Sequence, residues 1–282
     1  MKVGIEVGNE NTNIIILRDN NDILDVKELS VGLNSSDLDI INSIKSEILK
    51  SKHNGKIKCG VVVPEDSVYT RKFETDLVKY SVMRTNIKYE FNDYVNGSMD
   101  DYIYDYMVIK QVDNGKYRVM ASALRKVVLD RIVKIMSGCR LKLVNVISTE
   151  CAYIEMIKSL LKSNINNMNG ICFINIKGDK IKLVFFSKEE YMTSRIIDIN
   201  NKDSYESKVV TEIRRAISFY SFSNPGEELS HIYISMDNGD RIYKELVDEL
   251  GIQVEWMGDL VYNKGVYYNK YALALGGLLG VQ

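Results

Sequence analysis

Two stretches far apart in the chain share one rhythm, and that repeat constrains the fold more than any other feature. GIEVGNENTNIIIL (4–17) lies over FINIKGDKIKLVFF (173–186): apolar strand, acid or amide, polar turn, apolar strand. In this overlay Glu6 falls on Asn175 and Ile14 on Leu183. Internal similarity of this kind predicts a duplicated α/β fold with a cleft between its halves. Turns that aim consecutive backbone N–H groups into such a cleft are suited to phosphate.

The pattern around the repeat supports α/β halves. Leu38, Ile41, Ile44 and Ile48 recur at helical spacing behind a Ser/Asp cap, and Ile57–Val63 is a buried strand that stops at Pro64. Between Asp66 and Val146 the style changes. Val68–Phe73 reads as a strand, and Asp76–Tyr94 is mixed, with helical potential broken near Asn86. Tyr102, Tyr104 and Tyr106 alternate with Ile103, Asp105 and Met107, the period of a strand. Tyr117–Ala121 pairs with it across Asp113-Asn114-Gly115, and an apolar helix face runs from Leu124 to Met136. We expect a small α+β subdomain inserted at 66–146. Beyond it come a helix near Glu150–Leu161, the polar loop 163–170, the second hairpin, a helix over Val209–Tyr220 and a β–α–β unit from His231 to Trp256. Tyr271–Leu279 is apolar, rich in small residues and suited to close packing.

Composition narrows the functional classes. Among 282 residues, 37 Lys+Arg nearly balance 38 Asp+Glu, which argues against a nucleic-acid partner. Cys59, Cys139, Cys151 and Cys172 form no CxxC pair and lie in apolar stretches, as buried reduced thiols do. His53 and His231 are far apart, and no metal site is expected. The N-terminus has no apolar signal region, and no apolar run approaches a membrane span, so the expectation is a cytoplasmic protein without direct membrane insertion. No nucleophile elbow, Walker-A run or His/Cys cluster is present, and no catalytic residue is assigned.

The ordered motifs resemble the actin-like ATPase superfamily, and within it the PilM family of type IV pilus assembly, related to FtsA. Glu6-Val7-Gly8-Asn9 stands where that family opens with Asp-Ile-Gly-Ser. VVVPEDSVYTRKFE (61–74), YEFNDYV (89–95), DYMVI (105–109), VISTECAYIEMI (146–157), EIRRAISFY (212–220), IYIS (232–235) and YALALGG (271–277) follow in the family's order. The resemblance implies an actin-like, ribonuclease H-like pair of halves. The first half is then 1–65, the SHS2-type insert 66–146, the connecting helix and loop 147–170, and the second half 171–282, its last helix packing back on the core.

The same resemblance implies a cytoplasmic scaffold at the inner face of the membrane. It would hold the N-terminal tail of a PilN-like bitopic protein in a groove between the first half and the insert, with the pilus assembly ATPase and further copies of itself as other partners. Tyr69, Arg71, Tyr102 and Tyr104 are candidates for that groove, since Tyr and Arg are common interface anchors, although core packing explains the tyrosines equally well. The nucleotide positions implied are Glu6, Gly8, Asn9, Asn11 and Thr12 in the first loop, and Asn175, Gly178 and Asp179 in the second. Glu212, Arg215, Ser235 and Gly239 complete them.

Several of these depart from the family. Glu6 replaces Asp, Asn13 replaces a frequent Lys, and Asn175-Ile176-Lys177 replaces Asp-Ile-Gly. The turn Ser235–Gly239 keeps a single glycine where the family's adenosine turn is glycine-rich. The expectation is a degenerate site with no cofactor, ATP and magnesium being held weakly and not hydrolysed. Two alternatives remain open: an ATP-driven switch, and an FtsA-like filament protein. The chain's close at Gln282, directly after YALALGGLLG, weighs against the latter.

Overall fold

The computed structural model describes residues 1–50, 55–76, 79–112, 115–161, 168–187, 189–199, 205–236, 240–262 and 266–279. The chain forms two compact units, Met1–Glu155 with Leu273–Gln282, and Met156–Ala272.

The first unit opens with three antiparallel strands, β1 (Lys2–Val7), β2 (Thr12–Leu17) and β3 (Ile23–Leu29). Helix α1 (Asp37–Lys50) follows, and Ser36 caps it by accepting the Asp39 N–H. Strand β4 (Ile57–Val62) then pairs parallel with β1. The chain next leaves this sheet for β5 (Val68–Thr75), α2 (Tyr80–Glu90), β6 (Tyr102–Gln111) and β7 (Tyr117–Arg125), whose strands form a separate sheet ordered β5-β7-β6. It returns through α3 (Lys126–Gly138) to β8 (Leu141–Ile147), which pairs parallel with β4 and closes the main sheet as β3-β2-β1-β4-β8. Helix α4 (Thr149–Met156) leads out.

The second unit repeats this plan without the excursion. Strands β9 (Gly170–Lys177), β10 (Lys180–Ser187) and β11 (Glu190–Asp198) are antiparallel. After them come α5 (Tyr205–Ser223), β12 (Leu229–Met236), α6 (Asp240–Leu250), β13 (Gln253–Trp256) and α7 (Met257–Tyr262). The sheet order is β11-β10-β9-β12-β13, the same as in the first unit. Each unit is thus β-β-β-α-β-α-β-α. The insertion point follows from the comparison, because β12 runs into α6 where β4 runs into the three-stranded sheet.

This comparison corrects the expected insert of 66–146. Helix α3 places Ile132, Ile135 and Met136 in one core with Ile40, Ile44 and Ile48 of α1, and β8 is a strand of the main sheet. The excursion is therefore β5, α2, β6 and β7. Leu124, expected on a helix, closes β7. Helix α2 runs through Asn86 unbroken, because Met83, Ile87 and Phe91 are buried against β6 and that packing outweighs the low helix propensity of Asn. The expected turn at 113–114 and the loop 163–167 lie outside the described residues.

The last helix, α8 (Ala272–Leu279), belongs to the first unit and not, as expected, to the second half. Its small residues explain this. A Cβ on Gly60 of β4 would lie 2.0 Å from the Gly277 carbonyl oxygen, so only bare backbone admits the helix at that distance. No helix among the described residues is long and apolar enough to cross a membrane.

Candidate functional site

The two hairpins overlay residue for residue. Glu6 pairs with Asn13 across β1 and β2, and Asn175 pairs with Lys182 across β9 and β10. On the other side, Glu6 faces Val62 of β4 and Asn175 faces Ser235 of β12. All four hairpin positions are buried polar residues in sheets otherwise filled by Ile, Val and Phe. In the first unit Asn13 Nδ2 donates to Glu6 Oε2 at 3.0 Å, which gives the carboxylate a partner in that setting.

The first loop is held on several sides within its own unit. The Gly8 N–H donates to the Asn11 carbonyl at 2.8 Å. The carbonyls of Gly8 and Asn9 accept from the N–H groups of Leu33 and Asn34, at 2.9 and 2.7 Å. Asn9 Nδ2 donates to Asp66 and Asn11 Nδ2 to Glu28, and the buried Thr12 hydroxyl donates to the Val31 carbonyl at 2.7 Å. Three of the four polar side chains proposed for phosphate in this loop thus already donate inside the protein.

The second loop is a two-residue turn, with Lys177 paired to Lys180 and Gly178 at φ +54°. The Gly178 carbonyl accepts from the Tyr205 hydroxyl at 2.7 Å, and the Asp179 carbonyl from the Ile199 N–H at 2.7 Å. In register, Lys177 stands where Gly8 stands in the first loop. Ser235 is buried, and its hydroxyl donates to the Asn269 carbonyl at 3.0 Å. Glu212 and Arg215 form an ion pair with each other on the outer face of α5, with the Arg215 side chain 69% exposed. Gly239 lies outside the described residues. Among those described, no group of three His, Cys, Asp or Glu is placed to hold a metal ion.

A larger feature lies within the first unit. A cavity of about 490 Å³ sits where the inserted sheet meets β8, within the size range of ligand pockets. Strand β6 lines it with Ile103, Asp105, Tyr106 and Met107, and β7 with Met120, Ser122 and Leu124. Strand β8 contributes Leu143 through Ile147. Val63, Val68, Leu129, Ser148 and Cys151 complete the wall, and Asp105 is its one carboxylate among the described residues. Beside it, the Thr70 hydroxyl donates to the buried Glu150 at 3.3 Å and lies 3.4 Å from the Ser122 hydroxyl, tying the insert to the start of α4.

The residues proposed for a groove lie on the opposite face of the same sheet. Tyr102 and Tyr104 are buried with Met83, Ile87 and Phe91 beneath α2, and their hydroxyls donate to the carbonyls of Asn96 and Met99. Tyr69 packs on Tyr102 with ring centroids 6.0 Å apart and accepts from Asn96. Arg71 lies 3.7 Å over the Tyr94 ring and donates to the Glu90 carbonyl. Alternation along β6 was legible, but it does not say which stripe faces the insert's own helix. Tyrosines that bury a ring and satisfy a hydroxyl locally took that side. The other stripe, Ile103-Asp105-Met107, lines the cavity, joined there by Tyr106 from the tyrosine stripe. Strand β8 carries no strand signal in the sequence, because LKLVNVI, with two polar residues among five apolar ones, fits neither a clean alternation nor a continuous apolar run.

No family model matches the chain, and no curated protein matches it by sequence. Solved structures do match. The chain is similar over 100% of its length to 98% of a structure described as a PilM–PilN type IV pilus biogenesis complex, with a TM-score of 0.80 and 14% identity. It is similar over 100% of its length to 95% of the cytoplasmic domain of EpsL, an inner membrane component of the type II secretion system of Vibrio cholerae, with a TM-score of 0.59 and 9% identity. A Bacteroides thetaiotaomicron protein with the actin-like ATPase fold matches 97% of the chain over 95% of its own, with a TM-score of 0.53 and 12% identity. The chain has the actin-like ATPase fold, and its two five-stranded sheets of the same strand order agree with it.

Proposed function

We propose that this protein is an adaptor of a type IV pilus inner-membrane complex, holding the cytoplasmic N-terminal tail of a PilN-like membrane protein. The observation that carries the reading is the apolar cavity at the seam of β6, β7 and β8. Its position agrees with the groove that the family resemblance implies, and the full-length similarity to a PilM–PilN complex supports the same partner. In this reading the chain works at the inner face of the cytoplasmic membrane, carried there by its partners. The pilus assembly ATPase and further copies of the chain would dock elsewhere on it.

Nucleotide has a lesser part in this proposal. Asn9, Asn11 and Thr12 spend their donors on Asp66, Glu28 and Val31, and Lys177 fills the place that is Gly8 in the first loop. We take ATP to bind weakly and not to be hydrolysed. Isothermal calorimetry tests both statements on the full chain. The N-terminal tail peptide of a PilN-like protein from the same organism should bind, and binding should weaken when Met120→Glu places a charge in the cavity wall. No heat with that peptide at high micromolar concentration sinks the adaptor. Magnesium-dependent phosphate release above a Glu6→Ala control would replace it with an ATP-driven switch.

A further inference from the structure

Strand β8 carries a bulge at Val144. Cys59 of β4 pairs with Leu143 and the next residue, Gly60, with Asn145, so Val144 is the extra residue and stands 41% exposed at the cavity wall. The bulge sets Asn145 opposite Gly60, on the side of the sheet that α8 covers. Gly60 leaves room there for the carboxamide. A Cβ on it would lie 2.5 Å from Asn145 Oδ1 and 2.0 Å from the Gly277 carbonyl oxygen, so two acceptors flank one point of bare backbone. Oδ1 is buried there and accepts no hydrogen bond among the described residues.

The other polar groups of the wall are engaged. The Ser122 hydroxyl lies 3.4 Å from that of Thr70, Ser148 Oγ accepts from the Cys151 N–H at 3.3 Å, and Asp105 accepts from the Tyr106 N–H at 2.9 Å. Asn145 lines the same cavity with its oxygen unpaired and its Nδ2 as the end left open. A buried acceptor without a donor is costly. A half-turn of the carboxamide removes that cost, because it sets Nδ2 toward the Gly277 carbonyl and Oδ1 toward the cavity. We propose that Asn145 is the residue of the groove that reads the tail: its Nδ2 end faces α8, and its Oδ1 accepts one N–H or O–H of the bound peptide. The proposal rests on the adaptor reading above and names the contact that decides which segment of the tail fits. A segment that brings no donor to this point would bury the acceptor unpaired, and such a site rejects it.

The probe is the labelled N-terminal tail peptide of a PilN-like protein from the same organism, titrated with the full chain and read by fluorescence anisotropy. Each backbone N–H is replaced in turn by an ester oxygen, and each side-chain donor by alanine. The set is measured on wild type, on Asn145→Ala and on Asn145→Leu, which removes the amide and keeps its volume. One replacement should cost wild type about tenfold in affinity and cost both variants almost nothing, because the donor it removes has already lost its acceptor there. The urea midpoint of each free variant shows that it folds. Replacements that cost wild type and variants the same factors overturn the contact, whatever the variants' overall affinity, and leave the adaptor standing. Full affinity in Asn145→Leu overturns it as well, since the side chain then only fills space. An unmodified peptide that fails to bind wild type overturns the adaptor and this proposal together.

Discussion

Glu6 and Asn175 hold the same position in two copies of one sheet, each central in its unit and each paired with a polar residue on the next strand, Asn13 or Lys182. The duplication has kept the register and the buried polarity while changing the chemistry, since a carboxylate in one copy is an amide in the other. Asn13 Nδ2 loses an acceptor if Glu6 is removed. Glu6→Ala should therefore cost about 1–3 kcal/mol in urea unfolding, and Glu6→Gln, which keeps an oxygen there, should cost less.

Gly60 sets how closely α8 approaches β4. Gly60→Ala would place its Cβ 2.0 Å from the Gly277 carbonyl oxygen, a backbone atom that cannot rotate away. A loss of about 3 kcal/mol is expected from such overpacking, read as a lower urea midpoint at unchanged slope. Gly178→Ala has open space around it but a φ of +54°, so its cost should be about 1–2 kcal/mol and come from the backbone alone.

Asp37 ties α1 to α3. Its carboxylate accepts from Lys134 at 2.8 Å and from Arg131 at 2.7 Å, and these bonds, Lys134's first, hold its pKa below the ordinary aspartate value. A carboxylate whose folded pKa is depressed contributes stability above its unfolded pKa and loses it as pH falls through the folded one. The stability gap between wild type and Asp37→Asn should therefore be full at neutral pH and close in acid, as followed by urea unfolding across pH.

Three of the four cysteine thiols should be inert in the native state. Burial pushes Cys59 up to about 12, with the neighbouring Cys139 adding to it, and pushes Cys139 and Cys151 up to about 11. Cys172 is raised further by burial. Because the thiolate is the reacting form, Ellman's reagent at neutral pH should label Cys59, Cys139 and Cys172 only as the protein unfolds, while the half-buried Cys151 in the cavity wall reacts slowly. Fast labelling of more than one thiol in the native protein would contradict the burial of the other three.

The ion pair Arg215–Glu212 should matter little. Both residues lie on one exposed helix face, and Arg215→Ala is expected to change stability by less than about 0.5 kcal/mol. If α5 met a nucleotide through these residues, the same substitution would reduce ATP-dependent heat, and calorimetry separates the two roles.

The sequence alone determined the duplicated hairpins, their register and the fold class, because strand patterns and turn lengths are local and a two-residue period leaves little freedom once the turns are aligned. The overlay of Glu6 on Asn175 follows from the sequence alone. Only the tertiary structure decided that β8 joins the main sheet with α3 packed in its core, that α8 returns to the first unit, and which stripe of β6 faces the cavity. Each of those depends on which surface finds a partner far away in sequence. Ile132 buries against Ile40 and Ile44, Gly60 admits Gly277, and Tyr102 fills the space under α2, which leaves Asp105 on the open side. A residue's own pattern says that it has a buried side; long-range packing says against what.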